Sequence, residues 1–191
     1  MTSVEEVARV VAEGGLVVIP TDTVYGLACR PDREESVRAL SLVKRRTPEQ
    51  PIALVARSTE ELVELIPELD VRGVIPGPFT VVLPNPAGRL PWLTGERRTI
   101  GVRVPELSGY AKKLLEQVGV VAATSANLHG GADPRRLSDV PVEILDQVAA
   151  SLDGGELPGT PSTVLDLTGP EPRVLREGAV TAAEALSRLA K

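Results

Sequence analysis

Apolar and polar positions recur along this chain with two periods, and each period marks out elements. Val4, Val7, Ala8 and Val11 fall at the three- and four-residue spacing of one helix face, which predicts a helix over 3–13. Ser3 with Glu6 gives a capping-box pattern at its start, and Gly14-Gly15 stops it. Leu16–Ile19 is an unbroken apolar run, long enough for a buried strand. Pro20 ends it, because proline has no N–H to give to a sheet ladder. Asp32 with Glu35 repeats the capping pattern ahead of Val37, Leu40 and Val43, and Pro48 and Pro51 break the helix so predicted. Residues 51–55 read as a short strand, and Ser58 with Glu61 caps a helix carrying Leu62, Val63 and Ile66. Pro76-Gly77-Pro78 sets a rigid turn that leads into a β-rich run, Phe79–Leu83. Further strands are predicted at 100–105, 120–123, 162–167 and 173–178, and helices at 108–118, at 141–150 and from Thr181 with Glu184 onward. Residues 151–161 read as a Gly/Pro loop. Residues 84–99 have no period and hold the only Trp, so they are either the lid or rim of a site or a surface loop packed by Trp92. Several strands follow one another with no helix between them. That predicts an α/β fold with a twisted mixed β-sheet and flanking helices, as a single domain over 1–191.

Composition narrows what the fold can do. Aromatics are 2% of the chain, so the core is built from Val, Leu, Ile and Ala, and base-stacking platforms of the single-strand binders are excluded. The net charge of −5 gives no global attraction to nucleic acid, and any anion site must be local. One cysteine, Cys29, leaves no internal disulfide and fits a reducing, cytoplasmic setting. No apolar run approaches the ~18 residues of a membrane span, and the N-terminus does not read as a signal peptide.

Two stretches carry the candidate chemistry. The first apolar strand runs into Thr21, Asp22, Thr23 and Tyr25, closed by Gly26; the strand at 120–123 runs into Thr124-Ser125-Ala126-Asn127 and Gly130-Gly131. A strand ending in clustered polar groups is how α/β proteins place ligand sites, although the first cluster also suits a plain polar turn bonded by Asp22. Lys44-Arg45-Arg46 is either a set of cations complementing a helix C-terminus or an anion clamp. Arg103 sits mid-strand and either faces solvent or points into a cleft. His129 is the only histidine, and a lone His in a glycine loop is not nominated as a base. Walker-type and Rossmann glycine loops, a nucleophile elbow and Cys/His metal spacing are all missing from the sequence. The remaining hydroxyls, amide and separate cations suit a polyanion plus a small polar ligand, with chemistry run by positioning and charge stabilisation.

In that order, Pro20–Leu27, Lys44-x-Arg46 followed by Pro51, Pro76–Thr80, Val102–Pro105, Ser125-Ala126-Asn127, Ser162–Val164 and Leu175-Arg176-x-Gly178 resemble the YrdC-like (YrdC/YciO) proteins, the L-threonylcarbamoyladenylate synthases, over about residues 5–180. The resemblance implies a deep, positively lined concave cleft. It also implies a nucleotidyltransferase that turns L-threonine, bicarbonate or CO2, and ATP with Mg2+ into threonylcarbamoyl-AMP and pyrophosphate. The product would pass to a tRNA-modifying transferase complex. Carried over position by position, Thr23, Arg103, Ala123 and Ser162 are implied for L-threonine. Arg46, Gln50, Thr99, Ser125, Asn127 and Arg176 are implied for the nucleotide, with Lys44 and Asn127 flanking the phosphates and Lys44 and Arg46 as the catalytic cations. No protein metal site is implied. The chain resembles the short form without the extra C-terminal domain. Val55 stands where longer relatives carry a His near the threonine, and His129 and Asp133 where hydroxyls are common. The competing readings are a non-catalytic module that binds RNA tightly, with a steep salt dependence and without ATP, through Lys44, Arg45, Arg46, Arg97, Arg98, Arg135 and Arg136, and a related carbamoyl-adenylate enzyme with another acceptor or donor; beside the synthase reaction itself, only weak RNA binding is expected.

Overall fold

A computed structural model describes residues 2–45, 52–94, 98–128 and 130–189. The strands are β1 (Val17–Ile19), β2 (Gly26–Cys29), β3 (Ala53–Val55), β4 (Phe79–Pro84), β5 (Thr99–Arg103), β6 (Val121–Ser125), β7 (Ala150–Ser151), β8 (Thr163–Asp166) and β9 (Arg173–Arg176). They form one sheet in the order β7-β1-β2-β6-β3-β5-β4-β8-β9. The β1–β7, β3–β5 and β4–β8 pairs are parallel and the others antiparallel, so the sheet is mixed, as the run of strands without intervening helices predicts.

The helices are α1 (Val4–Glu13), α2 (Glu34–Val43), α3 (Thr59–Leu65), α4 (Pro91–Thr94), α5 (Gly109–Val118), α6 (Val142–Leu145) and α7 (Ala182–Leu189). The period of two along each strand sends alternate side chains to opposite faces. Val18, Leu27, Leu54, Val81, Val102 and Leu165 join the larger core, against Leu40 of α2, Leu62 of α3 and Leu93 of α4. Val17, Ile19, Ala28, Val55 and Val121 join a second core against α1 and α5. Over the rest of that second face, along β3, β5, β4 and β8, no helix among the described residues joins the core, and this part holds the cleft described below.

Local signals succeed where no stronger partner intervenes. Ser3 accepts the Glu6 N–H at 3.1 Å and Gly14 ends α1 at φ 92, as expected. The Asp32–Glu35 box does not form: Asp32 is taken by the Arg30 guanidinium, and α2 starts at Glu34 with no side-chain cap. Ser58 makes no capping bond either. Glu61 instead reaches back to the Arg57 N–H at 2.9 Å and pairs with its guanidinium. The helix expected at 141–150 shrinks to 142–145, because Ala150 and Ser151 pair in parallel with Val17 and Val18. β2 was not predicted: it lies immediately behind the polar cluster and is too short to show a period. In the 84–99 stretch, Leu93 is buried and the Trp92 indole N–H donates to the Pro31 carbonyl at 2.7 Å. The described part is therefore the packed-loop alternative.

Asp166 ties the far edge of the sheet together. Its carboxylate accepts from the Thr168 N–H and hydroxyl, at 2.9 and 2.6 Å, and from Arg173. Burial opposes its ionisation, but these bonds and the Arg173 charge prevail and hold the carboxyl below the ordinary range. A depressed carboxyl adds stability above its unfolded value, and that stability is lost as pH falls through the folded one. Asp166→Ala is therefore expected to cost about 1–3 kcal/mol at pH 7. The gap between variant and parent should narrow steadily below about pH 4 in thermal melts. A gap independent of pH would contradict this.

Candidate active site

Small residues make the floor of the cleft. Gly26 of β2, Ala53 of β3, Gly101 of β5 and Ala123 of β6 line a cavity of about 350 Å³. A Cβ at Gly101 would meet only ordinary contacts, 3.6 Å from Ala53 and 3.7 Å from Thr80, so the backbone does not demand glycine there. Its effect is to keep the floor low. Thr80, Arg103, Ser125, Ser162 and Arg176 rise around the floor. Two larger hollows, of about 470 and 450 Å³, gather none of the site residues expected from the sequence.

Each wall has a physical origin. Thr80 alternates with Phe79 and Val81 in β4, so its hydroxyl leaves the core face; it lies 2.8 Å from the Ser162 hydroxyl. Arg176 of β9 donates to the Ser162 carbonyl at 2.9 Å. Gly178 makes this closeness possible: a Cβ there would lie 2.2 Å from the Pro161 carbonyl oxygen and 2.6 Å from the Ser162 backbone. The Leu175-Arg176-x-Gly178 motif thus joins a cation to the backbone that presents Ser162.

Arg103 is buried and does point into the cleft. Its NH2 nitrogen donates to Asp22 and, at 2.9 Å, to the Thr23 hydroxyl. Burial pulls the guanidinium below its usual range, and Asp22 opposes that. Burial pushes the Asp22 carboxyl up, and Arg103 opposes that in turn. Asp22 Oδ2 and Arg103 Nε are both buried with no hydrogen-bond partner among the described residues. Thr23 is itself buried, its hydroxyl 3.1 Å from that of Thr21, and it is Thr21 that lines the cavity.

Lys44 caps α2 and is also buried. Three oxygens lie within 2.7 Å of its ammonium: the Ser125 and Asn127 carbonyls and Asn127 Oδ1. The Ser125 hydroxyl donates to the same Oδ1 at 2.7 Å, and Asn127 Nδ2 donates to the Gly131 carbonyl at 2.6 Å. Lys44 thus holds the turn after β6 from beneath, while Ser125 faces the cavity. The Tyr25 phenol lies outside the cavity lining. It lies 2.8 Å from the Gly155 carbonyl and accepts the Gly154 N–H at 2.9 Å, pinning one loop to another.

Of the residues expected from the sequence, Arg103, Ala123, Ser125, Ser162 and Arg176 meet at the cavity. Thr23, Lys44 and Asn127 lie one layer behind it. Thr99 starts β5 opposite Pro84, outside the cavity lining. Arg46, Gln50 and His129 lie outside the described residues. Thr21 was read as one of the hydroxyls of the first polar cluster but given no ligand, and Thr80 and Gly101 were not nominated. For Thr80 and Gly101 the usable signal was strand alternation, which opposes them to Phe79 and Ile100. No three His, Cys, Asp or Glu side chains among the described residues could hold a metal ion. No helix among them is long and apolar enough to cross a membrane. In the cation set of the RNA reading, Arg135 and Arg136 both pair with Glu156.

A model of the Sua5/YciO/YrdC domain, described as "Telomere recombination", matches residues 9–178. The chain belongs to the Sua5/YciO/YrdC family. It is 34% identical over 178 residues to the threonylcarbamoyl-AMP synthase of Stutzerimonas stutzeri, covering 88% of this chain and 94% of that one. It is 35% identical over 179 residues to the threonylcarbamoyl-AMP synthase of Pyrococcus abyssi, covering 90% of this chain and 52% of that protein, so it spans about half of that relative. The structure of P. abyssi Sua5 complexed with L-threonine superimposes with a TM-score of 0.87 at 32% identity, covering 97% of this chain and 56% of that one.

Proposed function

We propose that this family member is a threonylcarbamoyl-AMP synthase, joining L-threonine, bicarbonate or CO2, and ATP into threonylcarbamoyl-AMP with release of pyrophosphate. One observation carries the reading. Arg103, Ala123, Ser125, Ser162 and Arg176, spread over three strands and the loop before β8, converge on one cavity. The relatives bearing the synthase name, and the one bound to L-threonine, support it.

In this reading Arg103 takes the threonine carboxylate, with Ser162 and the Ala123 backbone beside it, and Ser125 and Arg176 face the nucleotide. Threonine carbamate and the α-phosphate are both anions, so fixed cations must offset their repulsion. Mg2+ enters as part of the substrate MgATP, bound through its phosphates. Holding both reactants in line removes the entropic part of the barrier, on the order of several kcal/mol. The product goes to the cytoplasmic machinery that modifies tRNA beside the anticodon.

Pyrophosphate release from MgATP, with L-threonine and bicarbonate each added and omitted, tests the reading. Release that needs both, and fails with serine or alanine, is expected. Release indifferent to threonine would move the protein to another adenylating chemistry.

A further inference from the structure

Asp22 stands behind Arg103 and does not line the cleft. The two side chains are each about nine-tenths buried and joined by a bond from Arg103 NH2 to Asp22 Oδ1. The same NH2 donates its other proton to Thr23. A guanidinium is planar, with five donors in a fixed fork, so setting both NH2 directions sets the plane and therefore the directions of the others.

Two features separate this pair from a simple charge neutraliser. A bidentate fork would close both arms, Oδ1 on NH2 and Oδ2 on Nε; here the second arm is open, with both its atoms buried and unpartnered. The pair also lies between two spaces. Arg103 lines the cleft, whereas Asp22 lines a separate hollow of about 200 Å³ behind it, with Glu106 and Tyr110. The carboxylate therefore grips the guanidinium from the side away from the cleft.

We propose that Asp22 is a positioning residue: with Thr23 it sets the plane of Arg103 so that the remaining N–H groups meet the carboxylate of the amino-acid substrate. This rests on the reading that Arg103 binds L-threonine. What matters is then the place of one acceptor oxygen, not the negative charge.

Asp22→Asn and Asp22→Glu separate the two, because the first keeps the oxygen and loses the charge while the second keeps the charge and moves the oxygen by one methylene. KM for L-threonine and for ATP is measured from pyrophosphate release, alongside the Kd for L-threonine by calorimetry. D22N is expected to stay within about threefold of the parent for threonine, and D22E to weaken it by about tenfold or more. KM for ATP should stay within about twofold in both variants. The proposal is overturned if D22E resembles the parent while D22N is impaired, if both substrates shift together, or if neither variant changes. A parent that binds L-threonine but releases no pyrophosphate refutes the activity alone, and the Kd values of the two variants then decide the positioning role.

Discussion

Arg103→Met is expected to abolish L-threonine-dependent pyrophosphate release, raising KM for threonine at least about 10²-fold. Two charge-assisted hydrogen bonds to a carboxylate contribute about 1.5–3 kcal/mol each, enough for a loss of that size. The same change strands the buried Asp22 carboxylate, which costs about 3–5 kcal/mol when one partner of a buried pair is removed. Lost activity could then be mistaken for lost folding. The double variant R103M/D22N removes that ambiguity, because no charge is left behind. It should melt closer to the parent than R103M does while remaining inactive. The pH dependence has a definite sign. Burial already raises the Asp22 carboxyl, and removing Arg103 takes away the largest effect that opposes it, leaving only the backbone N–H groups of Asp22 and Glu106 to pull it back. A raised carboxyl leaves stability intact below the unfolded value and loses it as pH rises through the folded one. R103M should therefore approach the parent's stability in mild acid and fall behind toward neutrality. Turnover retained by R103M/D22N would remove Arg103 from the threonine site.

Lys44→Met is the second large effect, and it should reduce both rate and stability. The family resemblance implies a catalytic cation beside the phosphates. The structure instead buries Lys44 with three oxygen acceptors from the turn after β6. Removing the ammonium leaves half-buried carbonyls without that donor, a loss of about 1–3 kcal/mol. Ser125 hangs from the same network through Asn127 Oδ1, so its hydroxyl would lose its direction at the cavity wall. A displacement of about 1 Å there can cost about 10²-fold in rate. Hydrogen exchange at the amides of 125–128 and 130–131 should quicken in the variant, while those of β4 and β8 stay protected. Lost turnover with unchanged melting and unchanged exchange would return Lys44 to direct contact with the phosphates.

Much of the architecture was legible because its causes are local. The Val4, Val7, Ala8, Val11 stripe and the Ser3 cap name α1, and the structure agrees nearly to the residue. The runs at β3, β4, β5, β6, β8 and β9 were each recognisable from four to six residues. The failures have a shared cause as well. Asp32 and Glu61 look like capping residues, yet each sits within reach of an arginine, and a charge-assisted bond outcompetes a cap. β7 is a two-residue bridge that exists only because β1 lies alongside it. Among candidate site residues, Arg103 was found because a cation in mid-strand demands a reason. Thr80 was missed because its hydroxyl acquires meaning only beside Ser162, far along the chain.

The chain by itself determined most of the elements, the two faces of the longer strands and the family, since periodicity and ordered motifs are written in neighbouring residues. Only the tertiary structure decided what the polar residues do. Lys44 meets Ser125, and Arg103 meets Asp22, across 81 residues in each case. Which of them faces the cleft and which stands behind it follows from sheet order and burial. Neither is a property of any local stretch, because an isolated segment has no low-dielectric interior in which a lysine must find three oxygens or an arginine must find a carboxylate.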